Sequence, residues 1–229
     1  MGRLFHIPGI FFLFVAFVLL FLVSISLPYL TTLDFARVHF EGKVTAGGVS
    51  NAVTELRFGT WAECWYESSG DRVCSSAGNA YNVTIYSGSG DGSSSVSIGS
   101  SWTRGLALHP VAAGVTLIAF LLSLSSHITL RLFASLASFL GGTVAFIAFL
   151  VDVALYAYVK SEVGKLDNVD AHTDTAPGFW MTFVSFILLF LAGGTVCFGR
   201  RRDRMAGATN YPMASSKFSR SWRDRFTRS

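Results

Sequence analysis

Charge is what this chain has least of. Only 14% of its 229 residues are charged, against 51% hydrophobic, too few for the surface of an ordinary soluble domain of this size. The signatures of chemistry are missing as well. There is no HExxH, GxSxG, Walker loop or CxxC, so the sequence predicts a protein that is not an enzyme and takes no cofactor or metal. The N-terminus "MGRLFH" has His6 where a myristoylation signal needs Ser or Thr. Five histidines are ordinary usage and by themselves no sign of pH sensing.

The apolar residues are gathered into four long runs. Ile7–Leu30 and Phe179–Phe198 carry no charge. Leu106–Ile128 is interrupted only by His109 and His127, and Leu132–Val159 only by Asp152. A helix needs ~20 apolar residues to cross ~30 Å of hydrocarbon, so each run predicts a transmembrane helix, the fourth filling 178–199. A signal peptide starting from Arg3 is the alternative for the first run, whose apolar stretch is long for a signal core. The tail 200–229 holds nine of the eighteen basic residues against two acids, with Arg200, Arg201 and Arg202 at the helix end. Arg131 lies in the short link 129–131, and Arg3 precedes the first helix in segment 1–6. The positive-inside rule puts all of these in the cytosol, so both termini are expected there, with segments 31–105 and 160–177 outside.

An oxidising exterior gives a context to "FGTWAECWYESSGDRVC", Phe58–Cys74. Cys64 and Cys74 are expected to form a disulfide; the alternatives are two free thiols, or a metal pair whose further ligands outside would have to be His39 and His172. Cys197 is the odd cysteine, at the cytosolic end of helix four, where lipidation is open. Asn82-Val83-Thr84 is a glycosylation sequon in the same outer segment. "FARVHFEGKV", "AVTELRFGTWAECWYE", "VCSS" and "NAYNVTIYS" read as strands of a small antiparallel sheet. "SGSGDGSSSVSIGSS", Ser87–Ser101, reads as a flexible Gly/Ser link to helix two.

Gly59, Trp61 and Cys64 in a Gly-x-Trp-x-x-Cys pattern, with Cys74 following in the first outer loop of a four-span chain, resemble the claudin and peripheral-myelin-protein superfamily. That resemblance implies a four-helix membrane bundle capped by a disulfide-stapled extracellular sheet. The superfamily usually has Leu where this chain has Thr60. "RGLALHPVAAGVTLIAFLLSL" and "AFIAFLVDVALYAYVKSEV" are similar to the fungal PalI and eisosomal tetraspan group, with Gly-Leu-x-x-His-Pro entering helix two and an Asp inside helix three. The resemblance covers about residues 1–205; many PalI-type proteins have a long cytosolic tail, whereas this sequence ends about thirty residues after helix four.

Asp152 is the sharpest single residue, because a carboxylate in hydrocarbon costs several kcal/mol unless it is paired, protonated or near an end. It is expected about seven residues, ~10 Å, inside the outer end of helix three. His109 at the outer end of helix two, where Pro110 can start the helix, is its candidate partner. The pair reads as a structural polar latch, with a proton-sensitive latch as the alternative. Ala134, Ser138 and Gly142, a parallel ridge of Ala137, Gly141 and Ala145, and Gly193 and Gly194 on helix four let helices approach closely, inside the bundle or against another protein. Phe11, Phe12, Phe14, Phe17 and Phe21 surround helix one and suit lipid or a partner helix. In the tail, Phe218, Trp222 and Phe226 form one stripe among basic residues if helical, fit for anionic lipids of the cytosolic leaflet; a disordered basic tail is the alternative, and Ser215, Ser216, Ser219 and Ser221 are candidate phosphorylation sites.

A PalI-type role is what the resemblance implies: a plasma-membrane accessory protein that helps a larger membrane protein of ambient-pH signalling to assemble or stay at the surface. A subunit of another machine, such as a cell-wall polysaccharide synthase, and an eisosome-like organiser of membrane domains are the alternatives. The expected partner is a larger integral membrane protein, sensor or synthase, with a homo-oligomer also open and nucleic acid not expected.

Overall fold

The computed structural model describes residues 3–46, 52–87, 94–125, 127–167 and 169–209, with the side chains of 3–6, 128 and 196–209 left undescribed. Four of its helices are long and apolar enough to cross a membrane, over Ile7–Tyr29, Ser100–Ser123, Thr129–Val163 and Pro177–Thr195. Helix α1 (Arg3–Tyr29) leads into strands β1 (Ala36–Glu41), β2 (Val44–Ala46), β3 (Val53–Phe58), β4 (Glu63–Glu67), β5 (Arg72–Cys74), β6 (Val83–Ser87) and β7 (Ser94–Ile98). A one-turn helix α2 (Ser100–Thr103) and a 3-10 turn (Arg104–Ala107) then feed α3 (Leu108–Ser123). After α4 (Ile128–Val163) and β8 (Asp170–Thr175), the described chain ends in α5 (Pro177–Thr209).

The helices close a ring in which α1 packs on α3 and α5, and α4 on the same two. Leu13, Ala16, Leu20, Ala112, Ala119, Ala145, Leu189 and Ala192 form its core. Several of the small residues expected to let helices approach closely face a neighbouring helix, and Gly194, expected in the same role, does not. Ser138 Oγ donates to Leu189 O at 2.7 Å and Ser135 Oγ to Gly193 O at 3.2 Å, which needs close backbones. A methyl group at Gly193 would lie 3.0 Å from the Phe139 ring, and one at Gly142 3.4 Å from Leu189 Cβ. Gly141 faces α3 at Thr116, and Gly194 faces open space. Phe11, Phe14 and Phe21 are exposed, Phe14 with its ring centroid 5.7 Å from that of Phe120 on α3, while Phe12 and Phe17 are half-buried.

At one end of the bundle lie two antiparallel sheets, one of order β5-β4-β3-β1-β8 and one of order β2-β6-β7. Their inner residues, including Phe35, Val38, Phe40, Leu56, Phe58, Trp65, Ile85 and Ile98, share a core with Leu155, Val159 and Val163 of α4. The sheets therefore rest on the extended end of α4, which gives so small a β-structure the support it needs.

Several limits differ from the sequence reading. The link between the second and third spans precedes 129–131, because α3 already ends at Ser123 and Ile128 already opens α4. Helix α4 runs four residues past Val159, so Asp152 lies eleven residues, about 16 Å, from its end. The tract 87–101 is not simply a link: Val96 and Ile98 alternate with serines, are buried, and pair β7 with β6, while 88–93 lie outside the described residues. Segment 160–177 supplies β8, which pairs with β1 over six residues.

A candidate functional site: two proline-freed carbonyls and a buried polar latch

Pro28 has no N–H to give the Ser24 carbonyl four residues back. The backbone leaves helical geometry at Ser26 and Leu27, so the last turn of α1 needs outside partners. The loop between β3 and β4 provides them. Trp61 Nε1 donates to Ser24 O at 2.7 Å, Thr60 Oγ1 to Val23 O at 3.0 Å, and Thr60 N to Ser26 Oγ at 3.0 Å. Gly59 permits this approach, since a methyl there would collide with Leu27 Cβ. Its carbonyl accepts from Tyr81 Oη at 2.7 Å. Cys64 and Cys74 stand directly opposite each other on β4 and β5 and are joined by a disulfide. Gly59, Thr60 and Trp61 thus form a clamp that fastens the larger sheet to α1, beside the disulfide that staples β4 to β5, and the hydroxyl of Thr60, the departure from the superfamily's Leu, contributes one of the clamp's three hydrogen bonds.

Beside the disulfide lies Glu63, buried on β4. Burial pushes its carboxyl above the ordinary range, and the Ser75 hydroxyl, donating at 2.8 Å, opposes that. Asp34 is also buried and accepts both arms of Arg37 at 2.9 Å; this bond in turn raises the pKa of the guanidinium. The Asp34 carbonyl takes the Gly178 N–H at 2.9 Å, where a side chain would meet that oxygen, so the start of α5 is tied to the segment that follows α1.

The second proline works as the first does. Pro110 cannot donate to Leu106 O, and His109 Nδ1 approaches that carbonyl at 2.9 Å. A carbonyl only accepts, so Nδ1 carries a proton and Nε2 is turned into the bundle. There it meets Asp152 Oδ2 of α4 and Thr182 Oγ1 of α5, each at 3.2 Å. Thr182 gives its own hydrogen to Gly178 O at 2.9 Å. One proton must then lie between Nε2 and the carboxyl, which makes the pair either imidazolium with carboxylate or imidazole with carboxylic acid. Both forms are neutral overall, as a fully buried site requires. Asp152 Oδ1 is buried with no hydrogen-bond partner among the described residues. Phe35 covers the imidazole, with ring centroids 4.6 Å apart, and Gly105 lets the preceding turn rest on Val151. The latch therefore joins α3, α4 and α5. Thr182 was not foreseen: a Thr in an apolar helix is common, and nothing local marks it as facing His109.

Tyr29, Trp102, Tyr158 and Trp180 place an aromatic ring at the sheet end of each span, and Trp102 stacks on Tyr158 at 4.1 Å. Such a belt is characteristic of a membrane–water interface, and it puts Asp152 about 9 Å below Tyr158 along α4. Asn82 is exposed just before β6. His39 and His172, far apart in sequence, are direct partners across β1 and β8. The side chains of Cys197, Arg200, Arg201 and Arg202, and the whole of Phe218, Trp222 and Phe226, lie outside the described residues.

No curated protein matches the chain. A model of the SUR7/PalI family matches it over residues 5–192, a stretch that contains the disulfide, the α1 clamp and the whole polar latch. Four spans, a disulfide-stapled antiparallel sheet and that match together make the chain a multi-pass membrane protein that belongs to the SUR7/PalI family.

Proposed function

We propose that this chain is a non-enzymatic accessory protein of PalI type in a fungal plasma membrane, assisting the assembly or surface retention of a larger membrane protein of ambient-pH signalling. The observation that carries the reading is how the polar residues are spent. His109, Asp152 and Thr182 are fully buried and bonded among themselves, which suits holding helices together better than acting on a substrate. What the chain offers a partner is surface. The bundle displays Phe11, Phe14, Phe133, Leu136, Leu140 and Leu191, and the larger sheet carries a half-buried, internally paired charged cluster of Arg37, Glu55 and Arg57. With the basic tail in the cytosol, that sheet looks outward, the tail lies on anionic lipid, and Asn82 is open to glycosylation.

Affinity capture in mild detergent, with partners identified by mass spectrometry, tests the reading. Recovery of a multi-span pH sensor whose surface level falls when this chain is deleted is the expected result. A polysaccharide synthase in its place favours the synthase-subunit role, and self-assembly alone favours a membrane-domain organiser; either result overturns the PalI-type assignment.

A further inference from the structure

We propose that His39 and His172 form a two-imidazole site for a divalent transition-metal ion of the copper, nickel and zinc class, tying the two inter-helix segments of the larger sheet to each other. The register of β1 against β8 sets the two residues directly opposite. Ala176 N donates to Phe35 O at 3.1 Å, and counting in twos from that bonded pair makes 37/174 and 39/172 hydrogen-bonded pairs as well. Opposed side chains of this kind leave one face with Cβ atoms about 4.5–5.5 Å apart. Two imidazoles at that spacing can converge on one ion at roughly 2.0–2.1 Å from each nitrogen. Both histidines are exposed, so neither ring is used in the core.

His172 carries a second feature of a ligand. Its Nε2 lies 3.0 Å from Asp174 Oδ1. In the neutral ring that nitrogen donates its hydrogen to the carboxylate, and the lone pair is left on Nδ1. Metal-bound histidines are commonly oriented in this way, by a carboxylate on the other ring nitrogen.

The charges facing the pair favour a cation. Glu41 and Asp170 oppose each other two residues along, and Glu55 of β3 stands across from His39. Arg37 is the neighbouring cation, and it is occupied by Asp34 and Glu55; Arg57 is bonded to Glu55 and lies over the Tyr66 ring. No cluster of three or more His, Cys, Asp or Glu able to hold a metal occurs among the described residues. The remaining coordination positions therefore fall to water or to an external donor. Imidazole pairs suit copper, nickel and zinc rather than calcium or magnesium. Because β8 is an edge strand whose one strand neighbour is β1, with Tyr156 of α4 donating to Thr173 O, a bridging ion would stiffen the attachment of the α4–α5 connection.

The test is a titration of the full chain, purified in detergent without a polyhistidine tag, with Cu2+ alone, followed by calorimetry and by the nitrogen splitting in the electron paramagnetic resonance spectrum. A single saturable equivalent with two-nitrogen splitting is expected. His39→Ala or His172→Ala should abolish it, Asp174→Asn should weaken it about tenfold, and His127→Ala should leave it intact. Amide exchange over 170–175 should slow with metal in the unaltered chain and in His127→Ala, but not in His39→Ala or His172→Ala. Both histidines are exposed, so an unchanged melting profile without metal verifies folding of the variants. The absence of saturable binding, or binding that survives both histidine substitutions, overturns the site.

Discussion

Thr60→Val isolates the clamp on α1. Valine keeps the shape of threonine and removes the hydroxyl that donates to Val23 O at 3.0 Å. Thr60 is only 1% exposed, so water cannot readily replace the lost donor. Leaving a buried acceptor unsatisfied costs about 1–3 kcal/mol. For a chain of this size each kcal/mol moves the midpoint about 2–4 °C, which puts the expected loss at about 2–12 °C. The assay is thermal unfolding in detergent followed by tryptophan fluorescence, for which Trp61 is a reporter beside the altered site. Thr60→Ser retains the hydroxyl and loses one methyl group, about 0.8 kcal/mol, and should be the milder change. Ser26→Ala removes the acceptor of the Thr60 N–H, so its effect should combine non-additively with Thr60→Val. A valine variant as stable as the parent, or a serine variant less stable than the valine one, refutes the claim that the hydroxyl secures the end of the helix.

Cys64→Ser, Cys74→Ser and the double substitution should each cost roughly 3 kcal/mol, the chain-entropy value for a loop closed over a separation of ten residues, and additive losses in the same melting assay would show two independent thiols. Glu63 has its folded pKa raised by burial, so its carboxylate destabilises the fold above that raised value, and the penalty is relieved as pH falls toward its ordinary 4.5. Glu63→Gln should therefore raise the melting point at neutral pH and remove this part of the acid-side gain; an unchanged pH profile contradicts the assignment. Asp152→Leu strands a buried imidazole and should cost about 3–5 kcal/mol, whereas Asp152→Asn should lower detergent stability less and leave the pH dependence of partner capture unchanged. Loss of that pH dependence with abundance intact would turn the latch into a sensor. Endoglycosidase should increase gel mobility of the native chain and not of Asn82→Gln; labelling of Asn82-side epitopes only after permeabilisation would reverse the orientation.

The four spans were legible because membrane crossing is a local property: ~20 apolar residues declare themselves without knowledge of their neighbours. The Cys64–Cys74 disulfide was legible for a similar reason, since the two thiols lie ten residues apart in a segment expected to be oxidising. His109 and Asp152 were paired from their depths, because few ionisable groups occur in the spans and a buried one needs a partner. What stayed hidden was non-local. β8 reads "DAHTDT", with Asp and His on its exposed face and Ala and Thr on the other, and only its six-residue pairing with β1 makes it a strand. Val96 and Ile98 alternate within a serine-rich tract whose composition outweighed their pattern. That Trp61 answers the carbonyl freed by Pro28, that Thr182 completes the latch, and that His39 faces His172 are all decided by register and helix rotation. Local residue types determine which groups need partners; the folded backbone alone determines which distant groups come within 3 Å or so to meet that need.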